Sequence, residues 1–221
     1  EDIEAVFLLG DQCPENDLQT ILKKIDCPVK FILGNHDADR DYWLENHFSI
    51  WEDHLHCNIF DVRGIRVAGL SGVFREKVWH PECTKMWESK QELIDHQKMR
   101  REHGFYGWLP RKHWCSIFPE DFNKLLDIET DILITHEAPD TYKYGFSIIS
   151  ELAELMGAKI LIHGHHHVSY TAYKKHGIKV IGLGKQEGFY LDYKNILDNN
   201  SCFDVNKDSG KEINIRKDSY K

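Results

Sequence analysis

The sequence predicts an α/β layered domain, on three observations. Apolar runs rich in β-branched residues recur along the chain, amphipathic helical segments fall between them, and Asp, Asn and His gather just past the ends of four of the runs. Near-continuous apolar strands belong to a sheet covered on both faces, where alternating ones would leave one face wet. Strands that alternate with helices stack as α/β layers.

The elements follow in chain order. "AVFLLG" (5–10) reads as the first strand. "ENDLQTILKKI" (15–25) then places Leu18, Ile21, Leu22 and Ile25 at helical spacing behind Asn16 or Asp17 as cap, which predicts an amphipathic helix. "VKFILG" (29–34) and "IRVAGL" (65–70) read as further strands. From Phe74 to Pro119 the rhythm breaks: Trp79, Trp87, Trp108 and Trp114 accompany a predicted helix over 84–104, closed by Gly104. That stretch reads as an inserted helical cap, its aromatics forming either a small core of their own or a substrate-contacting lid. "DILITH" (131–136), "KILIHG" (159–164) and "IKVIGLG" (178–184) complete the strands, with a helix over 147–159 stopped by Gly157. After Asp192 the chain turns polar, and 195–221 reads as a C-terminal hairpin or tail around an Asp-Ser-Gly turn.

Composition narrows the function classes. The 221 residues are 41% hydrophobic, which suits one domain with an ample core or one domain with an insertion. No apolar run approaches the roughly 18 residues that span a bilayer, and no secretory signal opens the chain. A net charge of −8 argues against nonspecific nucleic-acid binding, which neutralises phosphates with Lys and Arg, but leaves room for a small phosphorylated ligand held by metal. The six cysteines form no C-x-x-C pair. An even count could form disulfides, yet a chain this long does not need them, so they read as reduced thiols of a cytoplasmic protein.

The chemistry lies at the strand ends. "LLGDQ" presents Asp11, "ILGNHD" presents Asn35, His36 and Asp37, "LITHEAP" presents His136, and "KILIHGHHHV" crowds His163, His165, His166 and His167 into five positions. The histidine run is internal, so it is no tag; a metal site, a proton-handling site and chance are the alternatives it leaves. In open α/β sheets the carboxyl ends of strands are where ligands bind. One such ending is a common turn, but four in one chain form a set. Oxygen and imidazole donors together suit manganese, iron or zinc.

G-D, then G-N-H-D, then a later His, then G-H-x-H is the motif order of the calcineurin-like metallophosphoesterases, which this chain resembles from Asp11 to about His167. The resemblance implies a single domain over 1–221 with a four-layer α/β/β/α sandwich and two divalent cations at the strand ends, manganese first, with iron or zinc as alternatives. It implies that Asp11 bridges the two cations, that Asn35, His136 and His165 complete one, and that His167 joins the other. His36 would face the phosphate and serve the leaving oxygen, with Asp37 orienting its ring. His163 would be a supporting or structural histidine, and His166, the "x" of the motif, no ligand. The implied reaction is hydrolysis of a phosphate mono- or diester by a hydroxide shared between the cations. Its partner would be a phosphorylated substrate, with no membrane involved and nucleic acid left open.

Two departures qualify the resemblance. The D-x-H motif that opens the family pattern is absent, which leaves the first cation Asp11 and His167 alone. Either roughly 20–30 residues of strand and helix precede Glu1 or the chain is a truncated paralogue, and the missing initiator Met favours the first. Second, G-N-H-D replaces the G-N-H-E of the protein phosphatases, which points to the phosphodiesterase-like branch. Arg40 past that turn is either a phosphate contact or a surface arginine. A non-catalytic scaffold on the same fold is the competing class; His36, which such a scaffold does not need, argues for the enzyme.

Overall fold

The computed structural model describes residues 3–97, 105–106 and 109–192. The chain divides into Glu1–Tyr190 and Leu191–Lys221, and of the second only 191–192 are described, so the hairpin expected at 195–221 lies outside the described residues.

Six apolar runs become six strands. β1 (Val6–Leu9) and β2 (Val29–Ile32) pair in parallel, Val6 opposite Val29, as a two-stranded sheet. Between them α1 (Leu18–Leu22) starts where Asp17 accepts a hydrogen bond from the Thr20 amide at 2.8 Å. α2 (Asp41–His47) follows β2. A second, six-stranded sheet begins with the hairpin β3 (Ile59–Val62) and β4 (Ile65–Leu70), turned by Arg63 and Gly64, both at positive φ as a two-residue hairpin turn requires. The 74–119 region supplies the ribbon β5 (Trp79–His80) and β6 (Thr84–Lys85), α3 (Lys90–Gln97) and the ribbon β7 (Phe105–Tyr106) and β8 (Leu109–Pro110). α4 (Pro119–Leu126), β9 (Ile132–Thr135), α5 (Ser147–Leu155), β10 (Ile160–His163), β11 (Tyr170–Tyr173) and β12 (Lys179–Gly182) complete the order.

The larger sheet runs β11-β12-β10-β9-β4-β3, with its four inner strands parallel and both edges antiparallel. Every residue of β9, β10 and β12 is buried, which is why those strands read as unbroken apolar runs. Phe122 and Leu125 of α4 and Ile149, Leu152 and Ala153 of α5 cover one face over Leu133, Leu161 and Val180. A smaller core of Phe31, Leu33, Ala38, Leu44 and Cys115 packs β2 against α2. Backbone bonds from Leu55 to Phe31, Cys57 to Gly69 and Gly72 to Leu33 stitch the two sheets together. The class is the mixed α/β one expected.

The 74–119 region corrects the helical-cap expectation. Phe74, Trp79, Leu93, Leu109, Ile117 and Phe118 belong to the main core, so among the described residues these side chains build the domain's core and not a separate one. The helix expected over 84–104 begins only at Lys90, because Thr84 and Lys85 pair back onto Trp79 and His80; residues 98–104 lie outside the described residues. Among the described residues no helix is long and apolar enough to cross a membrane, and Cys13, Cys27, Cys57, Cys83 and Cys115 are free thiols.

Candidate metal centre

Four loops at the carboxyl ends of β1, β2, β9 and β10 bring Asp11, Asn35, His136 and His165 together. His136 is anchored first: its Nδ1 lies 2.7 Å from the Leu9 carbonyl and donates to it, which turns the Nε2 lone pair the other way. That Nε2 is 3.1 Å from Asn35 Oδ1 and 3.4 Å from Asp11 Oδ2. His165 joins them, its ring centroid 5.1 Å from that of His136, and the ligand atoms of Asp11, His136 and His165 all lie within 4.8 Å of one another.

Three acceptors aimed at one another repel unless something positive sits among them. A proton on His136 is one answer: burial works to lower its pKa, but the Asp11 carboxylate and the Leu9 carbonyl hold it above the ordinary value. A divalent cation is the other, and carboxylate, amide oxygen and imidazole are the donor set for manganese, iron or zinc. His165 suits it, since burial, then the neighbouring His136 and His166, push its pKa down to about 3 and leave it neutral with a lone pair to give. The residues present therefore fit a metal. Asp11 stays ionised: burial works to raise its pKa, yet the contact with His136 and the His36 amide hold it below the usual value.

The backbone is built for this approach. Gly10 has φ +90°, and a Cβ there would overlap His136 Nδ1; a Cβ on Gly34 would overlap Asp11 Oδ1. Asp11 and His165 themselves sit at φ 57° and 67°, a left-handed conformation uncommon outside glycine and frequent at functional loops.

Asp37 is fully buried and does not orient His36. Its carboxylate accepts the amides of Asp11, Cys13 and Gly34, each at 2.8 Å, and so braces the β1 and β2 loops against each other. The ring of His36, which is exposed, is held instead by Asp39 Oδ2, 2.7 Å from Nδ1. His167 is not drawn in: it is exposed at φ 56° and belongs to none of the close groups of ligand atoms among the described residues. His163 is buried and locked between the Tyr170 hydroxyl at 2.7 Å and the Gly164 carbonyl at 3.0 Å. His166 stacks on Tyr142, 4.3 Å between centroids. Arg40 is on the surface, its guanidinium over the Trp43 ring.

Sequence reasoning passed over Asp39 and Glu137. Asp39 carried a signal, its spacing of three from His36. Glu137 is buried next to His136 and accepts the amides of Phe74 and Ala138, and burial pushes its carboxyl up to about 7. His56, Cys57 and Asp121 form another close group, but Lys90 Nζ, 2.6 Å from Asp121, already supplies the positive charge there.

A family model described as calcineurin-like phosphoesterase matches residues 1–169. An uncharacterized protein of Haemophilus influenzae is 36% identical over 195 residues, 85% of each chain. Among solved structures, a Thermus thermophilus protein aligns at TM-score 0.48 and 15% identity, over 82% of this chain and 76% of its own. Phosphopantetheinyl hydrolase from Mycobacterium tuberculosis aligns at 0.47 and 17% identity, over 81% and 79%; 5'-nucleotidase from Candida albicans aligns at 0.41 and 15% identity, over 76% and 32%.

Proposed function

The chain belongs to the calcineurin-like phosphoesterase family, and on that premise we propose that it hydrolyses phosphate mono- or diesters with metal held by Asp11, Asn35, His136 and His165. The convergence of three acceptor atoms on one point is the observation that carries this reading. When bound, two divalent cations, manganese or in its place iron or zinc, would supply Lewis acidity toward the phosphoryl oxygens and ready a water for attack. The binuclear form, with Asp11 shared, is part of the proposal.

The chain's own residues do the rest. Asn35 contributes an oxygen without adding negative charge, which keeps the site attractive to an anionic phosphate. Asp37 fixes the spacing of the Asp11 and Asn35 loops through three amides. His36 stands exposed with Nδ1 committed to Asp39, which leaves Nε2 of the protonated ring to give a proton to the ester oxygen as the P–O bond breaks. The substrate is a phosphorylated molecule, and the free thiols suit a cytoplasmic setting.

The test is an assay of manganese-loaded protein on p-nitrophenyl phosphate and bis-p-nitrophenyl phosphate with metal content read alongside. His36→Ala should keep its metal while turnover falls by about two orders of magnitude; His136→Ala should lose both. Undiminished turnover in His136→Ala, or none in the wild type with manganese, iron or zinc, overturns the reading.

A further inference from the structure

Arg75 stands where a cation needs an explanation. It follows β4 by five positions in "SGVFR", and it is half-buried. Arg63, Arg66 and Arg111 each pair with a carboxylate. Among the described residues the Arg75 side chain forms no ion pair; its one side-chain hydrogen bond runs from Nη2 to the Asn35 carbonyl at 3.4 Å, and its Nε is buried with no partner. A guanidinium carries five N–H donors in a fixed fork, and on this half-buried side chain the rest of the fork is left without a carboxylate while a buried N–H goes unmet, which carries a cost.

The backbone around it is tied to the metal centre on both sides. Gly72 N donates to Leu33 O at 2.7 Å, one residue before the Gly34-Asn35 loop, and Phe74 N donates to the carboxylate of Glu137, the residue after His136. Val73 pairs with Cys115 and Ile117, and the Arg75 carbonyl accepts the amides of Val78 and Trp79 at 2.7 and 2.8 Å. The ring of Phe74 is wedged against Trp79 and Phe146, centroids 5.0 and 4.8 Å away. The segment that carries the guanidinium is thus fixed before any ligand arrives, beside the loop that supplies Asn35.

We propose that Arg75 is a catalytic residue that grips the phosphoryl group: its fork takes non-bridging phosphate oxygens on the Asn35 side of the metal centre, neutralising charge that grows as the ester bond breaks. The role rests on the hydrolase reading above, but the anion site itself does not. A planar fork matches two phosphate oxygens where an ammonium offers a point charge, so lysine is only a partial replacement.

The experiment reads inorganic phosphate binding by calorimetry and metal content by elemental analysis. It compares manganese-loaded wild type, Arg75→Ala, Arg75→Lys and the distant surface variant Arg63→Ala, with turnover of both nitrophenyl esters measured separately. Arg75→Ala should bind phosphate at least about tenfold more weakly and lose about a hundredfold in kcat/KM with its metal content unchanged. Arg75→Lys should fall between it and the wild type, and Arg63→Ala should match the wild type. Should Arg75→Ala fold poorly, a lowered melting temperature will show it and Arg75→Lys carries the test. Phosphate affinity within twofold of wild type in a folded Arg75 variant, absence of phosphate binding in the wild type, or metal loss in both Arg75 variants overturns the proposal. Phosphate binding that depends on Arg75 in a protein that cleaves neither ester keeps the anion site and removes the hydrolase reading. Ester cleavage indifferent to Arg75 does the reverse.

Discussion

A Cβ at Gly34 would overlap Asp11 Oδ1 and the ring of His136, two of the groups that converge at the metal centre. Gly34 does not have a positive φ, so alanine there is barred by space and not by backbone conformation. The same Cβ would lie 2.5 Å from the Asp11 backbone nitrogen, so Gly34→Ala should shift the Asp11 loop, push Asp11 or His136 off line, and weaken manganese binding by about 10- to 100-fold. Calorimetric titration beside far-ultraviolet circular dichroism checks it; an unchanged affinity would show that the two ligands give way freely. The glycine and the convergence of Asp11, Asn35, His136 and His165 were legible, because G-D, G-N-H-D and G-H-x-H state residue type and spacing together, although the last histidine of G-H-x-H, His167, stays outside the close groups of ligand atoms among the described residues. What spacing could not say is which of two aspartates serves His36. Asp37 faces inward because three amides from two loops converge on it, and only the folded turn makes that demand, which leaves the ring to Asp39.

Helix ends illustrate how far local sequence reaches. Gly157 closes α5 with φ 72°, its amide bonding Glu154 O and that of Ala158 bonding Ala153 O, the paired bonds of a Schellman stop. A Cβ on Gly157 meets nothing within 4 Å, so Gly157→Ala isolates the left-handed backbone cost, about 1 kcal/mol. That should lower the melting temperature by about 2–4 °C and leave turnover alone; no change in melting would mean the helix ends elsewhere. Such signals, and the six near-continuous apolar runs, were readable in the chain. β3 and β11 were not, since as sheet edges they alternate partly covered with exposed positions, and β5 to β8, two residues each, exist only through their partners. Asp121 in the first turn of α4 is likewise a tertiary matter. It accepts from Phe118 N, from Lys90 Nζ of α3 and lies 3.1 Å from His56 Nε2. Burial works to raise its pKa, but these partners hold it well below the ordinary 3.8. A carboxylate with a lowered folded pKa stabilises fully above its unfolded value and loses that stabilisation as pH falls through the range below it. Asp121→Asn should then cost about 3 kcal/mol at neutral pH, and its gap to wild type should shrink progressively as pH falls below about 4. Urea unfolding across that range decides it, and parallel curves for the two proteins would sink the assignment.

Across the whole molecule the candidate metal centre joins parts that nothing local holds together. Asp11 and Asn35 follow strands of the two-stranded sheet, His136 and His165 follow strands of the six-stranded one, and the bond from His136 to Leu9 spans 127 positions. The unfolded chain does not assemble this set, so a cation bound here favours the folded state by mass action, about 4 kcal/mol at a thousandfold excess over its dissociation constant. At about 2–4 °C per kcal/mol for a chain of this size, manganese should raise the melting temperature by about 8–16 °C over chelated protein. His136→Ala, which removes the anchored ligand, should show almost no such rise. Equal melting of wild type in manganese and in chelator would show that these four residues hold no metal in solution. The histidine run sets a further condition. His163, His165, His166 and His167 stay neighbours in the unfolded chain, and metals that prefer imidazole will bind them there. Binding to the unfolded state subtracts from the stabilisation, and affinity for nitrogen donors rises from manganese toward copper and zinc. At equal saturation of the folded site, zinc should therefore raise the melting temperature less than manganese does. His167→Ala, which thins the run at an exposed position outside the close groups of ligand atoms among the described residues, should narrow that gap; a gap unmoved by the substitution would place the zinc deficit in the folded site itself.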